Sequence, residues 1–366
     1  MRLGLIVGTR PEIIKMSPVL RQCQERGLDF FVLHTGQHYS RNMDGVFFEQ
    51  LQLPAADFSL NVGSGSFSHQ VGQMMVGMEE ILSKESPDYV LGEGDTNSVL
   101  AAALVSTNLR IPFVHVEAGL RSYNLAMQEE RNRIIADQVA DVLFPPTSKA
   151  RDILIYEGIR PEKIVVTGNT IADAVMHYLP KANRVASIGD FGLNPREYFL
   201  ATLHRAENAD HDEILRRLLT SLEQVSDTYQ VPVVFPVHPR TKARIEELQI
   251  DLPSCIRLID PVGFYEFLIL EQNARLVFTD SGGVQEECCI LRVPCITLRD
   301  DTERPETIEV GGNILAGRTP NQLSAIVSNM LSRPRDWANP FGGGDAASKI
   351  LDALIAVGKT KTVSGG

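Results

Sequence analysis

Short apolar runs alternate with amphipathic helical stretches along the whole chain. In residues 13–26 and 68–82 the apolar positions recur every three or four residues, which is typical of helices with one buried face. The runs between such stretches are too short for helices and are typical of buried strands. The predicted strands cover residues 3–7, 30–34, 89–91, 113–116, 142–144, 164–166, 198–203, 233–237, 256–258, 276–278 and 295–298. This alternation predicts parallel sheets covered by helices on both faces.

The alternating pattern occurs twice, so we predict two α/β domains. The 366 residues are too many for one typical core and suit two domains of about 150–180 residues. Proline and glycine interrupt the periodicity between residues 175 and 196, which places the boundary there. The first domain is expected to comprise residues 1–174 and the second residues 175–345. A final helix over residues 346–358 is expected to pack back on the first domain, and residues 359–366 are expected to form a disordered tail.

Composition narrows the class of protein. The chain is 43% hydrophobic and 22% charged, as globular proteins are, and its net charge of −11 disfavours a general nucleic-acid binder. Five cysteines without a CxxC pair indicate reduced thiols rather than a disulfide or zinc framework. The chain begins with a strand rather than a signal peptide, and no apolar stretch reaches the roughly 18 residues of a membrane span. We therefore expect a soluble cytoplasmic protein that binds neither nucleic acid nor membranes.

Cofactor and metal signatures are also missing from the sequence. No Walker A string and no GxGxxG string occurs, which removes the best support for ATP- or NAD-dependent chemistry. Cys and His residues form no ligand cluster, and the Asp210-His211-Asp212 string precedes a helical pattern, so we interpret it as helix capping. We expect no cofactor and no bound metal.

A small-residue turn in the second half is the clearest candidate binding site. Ser281, Gly282 and Gly283 follow a predicted strand and open a helix. Glycine lets backbone amides approach a ligand, and the first amides of a helix have no internal partner, so this turn suits a diphosphate. Glu287, one turn further, could bind the hydroxyls of a ribose. The alternative is an ordinary strand–helix connection.

Other charged residues follow predicted strands directly. In open parallel sheets ligands bind at the carboxyl ends of the strands. Arg10 and Lys15 follow the first strand and could bind phosphate, although Lys15 could also be a solvent-exposed helix residue. His204 and His238 follow strands of the second domain, where an imidazole can act as acid or base. Arg304 follows the strand over residues 295–298 and could face the diphosphate turn.

Three carboxylates are candidates for acid–base chemistry. Asp95 follows a strand, and the alternative is that it caps the next helix. Glu117 lies beside an apolar run and should be partly buried, with Arg121 as a candidate partner. Glu129 and Arg133 are four residues apart on one helix face, where a surface ion pair is the alternative.

In their order along the chain, these blocks resemble the non-hydrolysing UDP-N-acetylglucosamine 2-epimerases, and most of all their archaeal type. The shared blocks are GTRPEIIK, GQHY, GDTNS, HVEAGLRS, EExNR, VTGNT, LHRAEN, PVHPR, TDSGGVQEE, TERPET and GGNIL. The resemblance implies two Rossmann-like doubly wound domains in a GT-B arrangement, an active site in the interdomain cleft, and a homodimer. It implies a UDP-sugar substrate: UDP-GlcNAc and UDP-ManNAc interconvert by anti elimination of UDP to 2-acetamidoglucal and syn re-addition.

The resemblance also implies roles for individual residues. The catalytic residues it implies are Asp95, Glu117, Glu129 and His204. The substrate- and UDP-binding residues it implies are Arg10, Lys15, Arg133, His204, Arg205, His238, Phe267, Ser281, Gly282, Gly283, Glu287 and Arg304. Candidate allosteric residues are Gln37, His38 and His69. Activation by a second UDP-GlcNAc stays open, because Ser40 and His69 stand where bacterial relatives tend to carry Gln and Arg. Gln128 replaces the proline that commonly precedes the paired glutamates.

The sequence leaves other functions open. A close alternative is C2 epimerisation of a modified sugar such as UDP-N-acetylfucosamine or a diacetamido uronic acid, because the sequence does not identify the C3 and C6 substituents. It also does not identify the carboxylate that takes the C2 proton. A glycosyltransferase of GT-B fold is a further alternative, although three carboxylates suit proton transfer better. A non-catalytic nucleotide-sugar sensor has no need of that acid set.

Overall fold

The structure is a computed structural model that describes residues 1–37, 47–320 and 322–363, with side chains described up to residue 357. The chain divides into two compact units. Unit 1 comprises Met1–Ala174 and Phe341–Gly366, and unit 2 comprises Val175–Pro340. Each unit contains one six-stranded sheet.

Unit 1 is a parallel sheet with helices between its strands. The strands are β1 (Arg2–Val7), β2 (Asp29–His34), β3 (Phe58–Ser59), β4 (Tyr89–Glu93), β5 (Phe113–Val116) and β6 (Val142–Phe144). The helices include α1 (Arg10–Glu25), α2 (Phe67–Glu85), α3 (Asn97–Leu109), α4 (Gln128–Val139) and α5 (Ser148–Tyr156). A sixth helix, α6 (Thr170–Val185), begins in unit 1 and continues into unit 2. The strand order β3-β2-β1-β4-β5-β6 is that of a Rossmann fold, with its switch point between β1 and β4.

The central strands of unit 1 are apolar because helices cover both faces of the sheet. Leu3, Leu5, Ile6 and Val7 of β1 are all fully buried. β1 runs parallel to β2 and to β4, so these side chains lie in the middle of the sheet. Burial of such side chains is the dominant favourable contribution to folding. The polar residues that follow each strand are thereby placed at one edge of the sheet.

Unit 2 repeats the same topology. Its strands are β7 (Phe199–Thr202), β8 (Val233–Pro236), β9 (Ile256–Ile259), β10 (Leu276–Thr279), β11 (Cys295–Thr297) and β12 (Asn313–Leu315). Its helices include α7 (Ala206–Ala209), α8 (Asp212–Tyr229), α9 (Pro239–Glu247), α10 (Phe264–Asn273), α11 (Gly282–Leu291), α12 (Pro305–Glu309) and α13 (Leu323–Ser332). The sheet order is β12-β11-β10-β7-β8-β9, so the first and fourth strands of this unit are neighbours. The predicted fold class, two Rossmann-like α/β domains, is confirmed.

Several predicted elements differ from the structure. Residues 164–166 form no strand, because only Ile164 makes an isolated bridge to Leu143 and the following two valines are more than a third exposed. β3 and β12 were not predicted, since runs of two and three residues carry too little periodicity. Pro180 does not end α6, because the buried face of the helix continues through Tyr178 and Ala182.

The last helix, α14 (Ala346–Val363), packs on α1 of unit 1. Arg26, which follows α1, donates from Nη1 to Asp352 Oδ1 at 2.6 Å. Asp173 accepts the amides of Ala346 and Ala347 at 3.1 and 2.9 Å and so caps the helix. The helix continues beyond residue 358, where its end was predicted. Over the described ranges, none of the helices is long and apolar enough to cross a membrane.

Candidate active site

At the carboxyl ends of β1, β4 and β5, unit 1 brings one buried lysine to two buried glutamates. Lys15 Nζ lies 2.5 Å from Glu117 Oε2 and 3.3 Å from Glu93 Oε1. The three side chains are only 8%, 4% and 3% exposed, so the solvent-exposed alternative for Lys15 is wrong. Arg10, at the start of α1, has its guanidinium 5.1 Å from the ring centroid of Phe47. The lysine ammonium, expected to meet phosphate, is therefore paired with carboxylates.

The position of Glu117 is constrained by its backbone and by a second donor. Its φ of 65° lies in the left-handed region, which costs a non-glycine residue about 1–3 kcal/mol. Asn169 Nδ2 donates to Glu117 Oε2 at 2.9 Å, on the oxygen that also faces Lys15. Strained residues of this kind cluster at functional sites, because the surrounding structure must hold them. The two donors stabilise the carboxylate form of Glu117.

Glu12 belongs to the same cluster and was not singled out from the sequence. The Gly8 amide donates to its Oε2 at 2.9 Å, and Thr96 Oγ1 donates to its Oε1 at 2.7 Å. Burial raises the pKa of Glu12 to about 7, although both hydrogen bonds oppose the shift. Glu12 is therefore partly protonated near neutral pH.

Glu93, the last residue of β4, was also missed. Burial raises the pKa of Glu93 well above its usual range. The Lys15 ammonium opposes that rise, whereas the negative charges of Glu117, Glu12 and Asp95 add to it. Glu93 is therefore surrounded by one ammonium and three other carboxyl side chains.

Asp95 is linked to α4 through a buried arginine. Arg133 donates from Nε to Asp95 Oδ2 at 2.9 Å and from Nη1 to Glu130 Oε2 at 2.7 Å. The capping alternative for Asp95 is wrong, because Thr96 is the N-cap of α3 and accepts the amide of Val99. The carboxylate of Asp95 stays 26% exposed, so it is the accessible acid of the cluster. Glu129, in the first turn of α4, is half-buried.

A buried histidine–aspartate pair supports the loop that carries Asp95. His115 Nδ1 lies 2.6 Å from Asp137 Oδ1, and its Nε2 lies 2.8 Å from the carbonyl oxygen of Gly94. Burial alone would raise the pKa of Asp137, but His115 and Arg121 outweigh it and lower that pKa. The pair holds the backbone next to Asp95, and no pattern in the sequence pointed to it.

Arg121 was predicted to be a partner of Glu117, and this prediction is wrong. Its Nη2 lies 2.7 Å from Asp137 Oδ2 and 2.6 Å from Glu157 Oε2, and its Nε also donates to Glu157. The basic partner of Glu117 is Lys15 instead. The reason is topological, because α1 and β5 both reach the same edge of the sheet.

The candidate allosteric residues occupy different environments. Gln37 is buried, its Oε1 accepts from Ser98 Oγ at 3.0 Å, and its backbone carbonyl accepts from Gln70 Nε2 at 3.1 Å. His69 is exposed on α2. His38 lies outside the described residues.

In unit 2 a histidine–aspartate pair joins the ends of the neighbouring strands β7 and β10. His204 Nδ1 lies 2.9 Å from Asp280 Oδ1, and Asp280 Oδ2 accepts the Arg205 amide at 3.0 Å and Asn208 Nδ2 at 3.1 Å. Burial alone would raise the pKa of Asp280, but His204 and the backbone amides lower it. Because Nδ1 is held, Nε2 of this 41% exposed imidazole is available to a ligand. No role had been predicted for Asp280.

Two further predicted residues lie around His204. The ring centroid of His238 is 6.2 Å from that of His204. His238 Nδ1 accepts the amide of Arg240 at 3.2 Å, so this imidazole caps α9. Arg205 Nη2 lies 3.5 Å from Glu303 Oε1. The structure thus brings His204 and His238 together, as neighbours after β7 and β8.

The predicted diphosphate turn opens α11. Its N-cap, Ser281, has extended backbone and makes no side-chain cap. A Cβ at Gly282 would lie 2.4 Å from Glu303 Oε1, so any larger residue there requires the Glu303 side chain to move. At Gly283 the nearest atom would be Ser281 Oγ, at 3.9 Å, so space alone does not require that glycine. The first turn of α11 has the backbone expected of an anion site.

Arginines surround the carboxylate beside this turn. Arg304 Nε donates to Glu286 Oε1 at 2.5 Å, and its Nη1 lies 3.9 Å from Glu303 Oε1. Arg299 Nη2 lies 2.9 Å from Glu303 Oε2. With Arg205, three arginines therefore contact Glu303. Arg299 also pairs with Asp301, and Arg304 with Glu286, so these arginines are matched by carboxylates.

Glu287 and Phe267 lie deeper in unit 2. Glu287 is 7% exposed, and its neighbour Glu271 is fully buried. Burial, together with the Glu287 carboxylate, raises the pKa of Glu271 well above its usual range. Phe267, which the resemblance places at the substrate, is partly buried and packs against the core cluster of this unit.

Sequence reasoning missed four acidic residues of these sites, and part of the signal was available. They are Glu12, Glu93, Asp137 and Asp280. Glu93 ends a strand and Asp280 follows one, so the rule that selected Glu117 also applies to them. Within the described part of the chain, no group of three or more His, Cys, Asp or Glu side chains could hold a metal ion.

Comparison with known proteins identifies the family. The model of the UDP-N-acetylglucosamine 2-epimerase family matches residues 21–355. The UDP-N-acetylglucosamine 2-epimerase of Methanocaldococcus jannaschii is 48% identical over 361 residues, which cover 97% of this chain and 99% of that protein. The crystal structure of the M. jannaschii enzyme in complex with UDP-GlcNAc and UDP has a TM-score of 0.93 and covers 97% of this chain and 100% of that one.

A relative with a different substrate is also similar. The UDP-2,3-diacetamido-2,3-dideoxy-D-glucuronate 2-epimerase of Pseudomonas aeruginosa is 40% identical over 359 residues, which cover 97% of this chain and 99% of that protein. Both relatives are epimerases, and therefore isomerases. The resemblance inferred from the sequence blocks is confirmed: the chain belongs to the UDP-N-acetylglucosamine 2-epimerase family.

Proposed function

We propose that this protein interconverts UDP-GlcNAc and UDP-ManNAc by inverting C2 of the sugar. The observation that carries the proposal is the 48% identity, over 97% of the chain, to an archaeal UDP-N-acetylglucosamine 2-epimerase. The acids of unit 1 and the helix-opening turn of unit 2 support the proposal, because such a reaction needs a proton acceptor and donors for a leaving diphosphate.

The first step breaks the C2–H and C1–O bonds. The C2 proton is scarcely acidic, so its loss must accompany positive charge at C1, which nearby carboxylates stabilise. We assign this task to Asp95, Glu117 and Glu129, one of which takes the proton. The electron pair of the C2–H bond forms the C1–C2 double bond of 2-acetamidoglucal, and UDP leaves with the pair of the C1–O bond.

Leaving diphosphate needs positive charge and donors. We assign Ser281, Gly282 and Arg304 to the diphosphate, and His204, held by Asp280, to proton donation. Return of UDP to C1 and of a proton to the opposite face of C2 completes the inversion. The remaining assignments from the resemblance stay predictions: Arg10, Lys15, Arg133, Arg205, His238, Gly283, Phe267 and Glu287.

Incubation with UDP-GlcNAc in deuterated water tests this function. Proton NMR should show UDP-ManNAc and loss of the C2 proton signal from both sugars, without any added acceptor. Transfer of the sugar in a parallel reaction that contains an acceptor, without exchange at C2, would instead indicate a glycosyltransferase. Tight binding without deuterium at C2 would indicate a sensor. Either result would overturn the proposal.

A second candidate substrate follows from the P. aeruginosa relative. That protein acts on UDP-2,3-diacetamido-2,3-dideoxy-D-glucuronate and is 40% identical to this chain. The same assay with that sugar separates the candidates, because the substrate with the higher kcat/KM is the better fit. The active site in the cleft, the homodimer and the cytoplasmic location stay predictions.

A further inference from the structure

Glu93 is a buried carboxyl group to which the proposed reaction assigns no role. Its side chain is 3% exposed at the end of β4. Its Oε1 lies 3.3 Å from Lys15 Nζ, yet among the described residues no donor meets hydrogen-bond geometry with that oxygen. A buried carboxylate without close donors is unfavourable, so its protonation state needs an explanation.

The shared lysine favours the other carboxylate. Lys15 Nζ is 2.5 Å from Glu117, which also accepts from Asn169 at 2.9 Å. The groups that face Glu93 come from α1, from its own strand end and from the end of β5. They are Lys15, Glu12, Asp95 and Glu117. Three of these four groups are acids, and with burial they raise the pKa of Glu93.

Building on the proposed function, we propose that Glu93 is a positioning residue for Lys15. As a neutral carboxylic acid it lies 3.3 Å from the ammonium, fills the space on that side and leaves the charge of Lys15 to Glu117. One ammonium, one carboxylate and one neutral acid sum to zero charge, which a low-dielectric interior favours. Glu117 then remains a carboxylate that can accept a proton. Ionised Glu93 would draw Lys15 away from Glu117 and disfavour a substrate with a negatively charged diphosphate.

A pH–rate profile of Glu93→Gln tests this role. In the wild type kcat should fall on the alkaline side as Glu93 ionises, and in Glu93→Gln that fall should disappear, because an amide cannot ionise. At the optimum of the wild type, kcat of Glu93→Gln should stay within about threefold, since one neutral group replaces another. Glu93→Ala should lose roughly tenfold in kcat, because the space beside Lys15 is no longer filled and the ammonium can move away from Glu117. A purely structural role would lower kcat of both variants and leave the alkaline fall in place.

Glu12→Gln is the matched control. Glu12 has a raised pKa in the same cluster, but the Gly8 amide and Thr96 hydroxyl occupy its oxygens. The alkaline fall should persist in Glu12→Gln. If that variant lost the fall and Glu93→Gln kept it, Glu12 would be the group responsible and the proposal would be overturned.

Infrared spectroscopy gives a readout that needs no activity. The measurement is a difference spectrum, wild type minus Glu93→Gln. If Glu93→Gln does not fold, Glu93→Ala replaces it. At neutral pH the difference spectrum should show the carbonyl stretch of a neutral carboxylic acid. That band should vanish over the pH range in which kcat falls. Its absence at neutral pH overturns the proposal even if the enzyme is active. If the band is present but the protein does not epimerise the sugar, Glu93 is neutral as proposed but the proposed function is wrong. The role of Glu93 in that reaction then falls with it.

Discussion

Units 1 and 2 share a strand order but differ in the charged groups at the carboxyl ends of their strands. In unit 1 the single ammonium of Lys15 lies between Glu93 and Glu117. In unit 2 three arginines contact Glu303, and two of them also pair with other carboxylates. The three arginines are Arg205, Arg299 and Arg304. The sheet fixes where a site lies, and the residues after each strand decide what chemistry it performs.

This difference matches the two halves of the proposed reaction. Removing a proton from carbon requires carboxylates, whereas a leaving diphosphate requires positive charge and amide donors. The pKa values of buried acids also differ between the units. Burial raises the pKa of Glu12 in unit 1, whereas in unit 2 the imidazole and amide partners of Asp280 outweigh its burial and lower its pKa. The two units should therefore differ in how variants affect turnover, stability and affinity.

The largest effect is expected from the acids of unit 1. Glu117→Gln should cut turnover by roughly 10²-fold or more, because the amide cannot take the C2 proton or pair with Lys15. Asp95→Asn and Glu129→Gln should act similarly. UDP affinity, measured by calorimetry, should not change. Glu79→Gln, an exposed substitution on α2, is the control and should alter neither quantity. Near-normal turnover in all three acid variants would contradict the division of roles between the units.

The next effect concerns stability. The pKa of Glu12 is about 7 in the folded protein, against an ordinary value of 4.5. The folded state therefore holds this proton more tightly, and the resulting stabilisation is complete below pH 4.5 and is lost as pH rises to about 7. Wild-type stability should fall by about 3 kcal/mol over that range relative to Glu12→Gln.

Urea unfolding of wild type and Glu12→Gln across this pH range measures the difference. Glu25→Gln, an exposed substitution on the same helix, should follow the wild-type curve. Parallel curves for the wild type and Glu12→Gln would show that Glu12 ionises normally, and the contrast with Asp280 would fail.

The smallest of these effects is expected in unit 2. Arg304→Ala should weaken UDP binding by about 1.5–3 kcal/mol, because a charge-assisted contact is lost. Arg318→Ala is the control, since Arg318 pairs with the half-exposed Asp300. Equal UDP affinity for Arg304→Ala and wild type in calorimetry would exclude Arg304 from the diphosphate site.

Local patterns in the sequence were enough to predict the repeated fold and the edge at which the sites lie. Buried strands are recognisable from short apolar runs, and the residue after a parallel strand always falls at the same edge. Glu117, His204 and the turn at Gly282 were identified in this way. A larger residue at Gly282 would require the Glu303 side chain to move, so glycine is also favoured there for a steric reason.

Tertiary structure decided which of these side chains meet. Lys15 and Glu117 are 102 residues apart, and His204 and Asp280 are 76 apart, so their contacts depend on which strands are neighbours. The sequence does not reveal that order, because every strand shows a similar apolar run. The pKa values of Glu12 and Glu93 depend on it too, since burial and the number of nearby charges exist only once the sheet has formed. The sequence determined the groups available for catalysis, and the packing of the strands determined their partners and protonation.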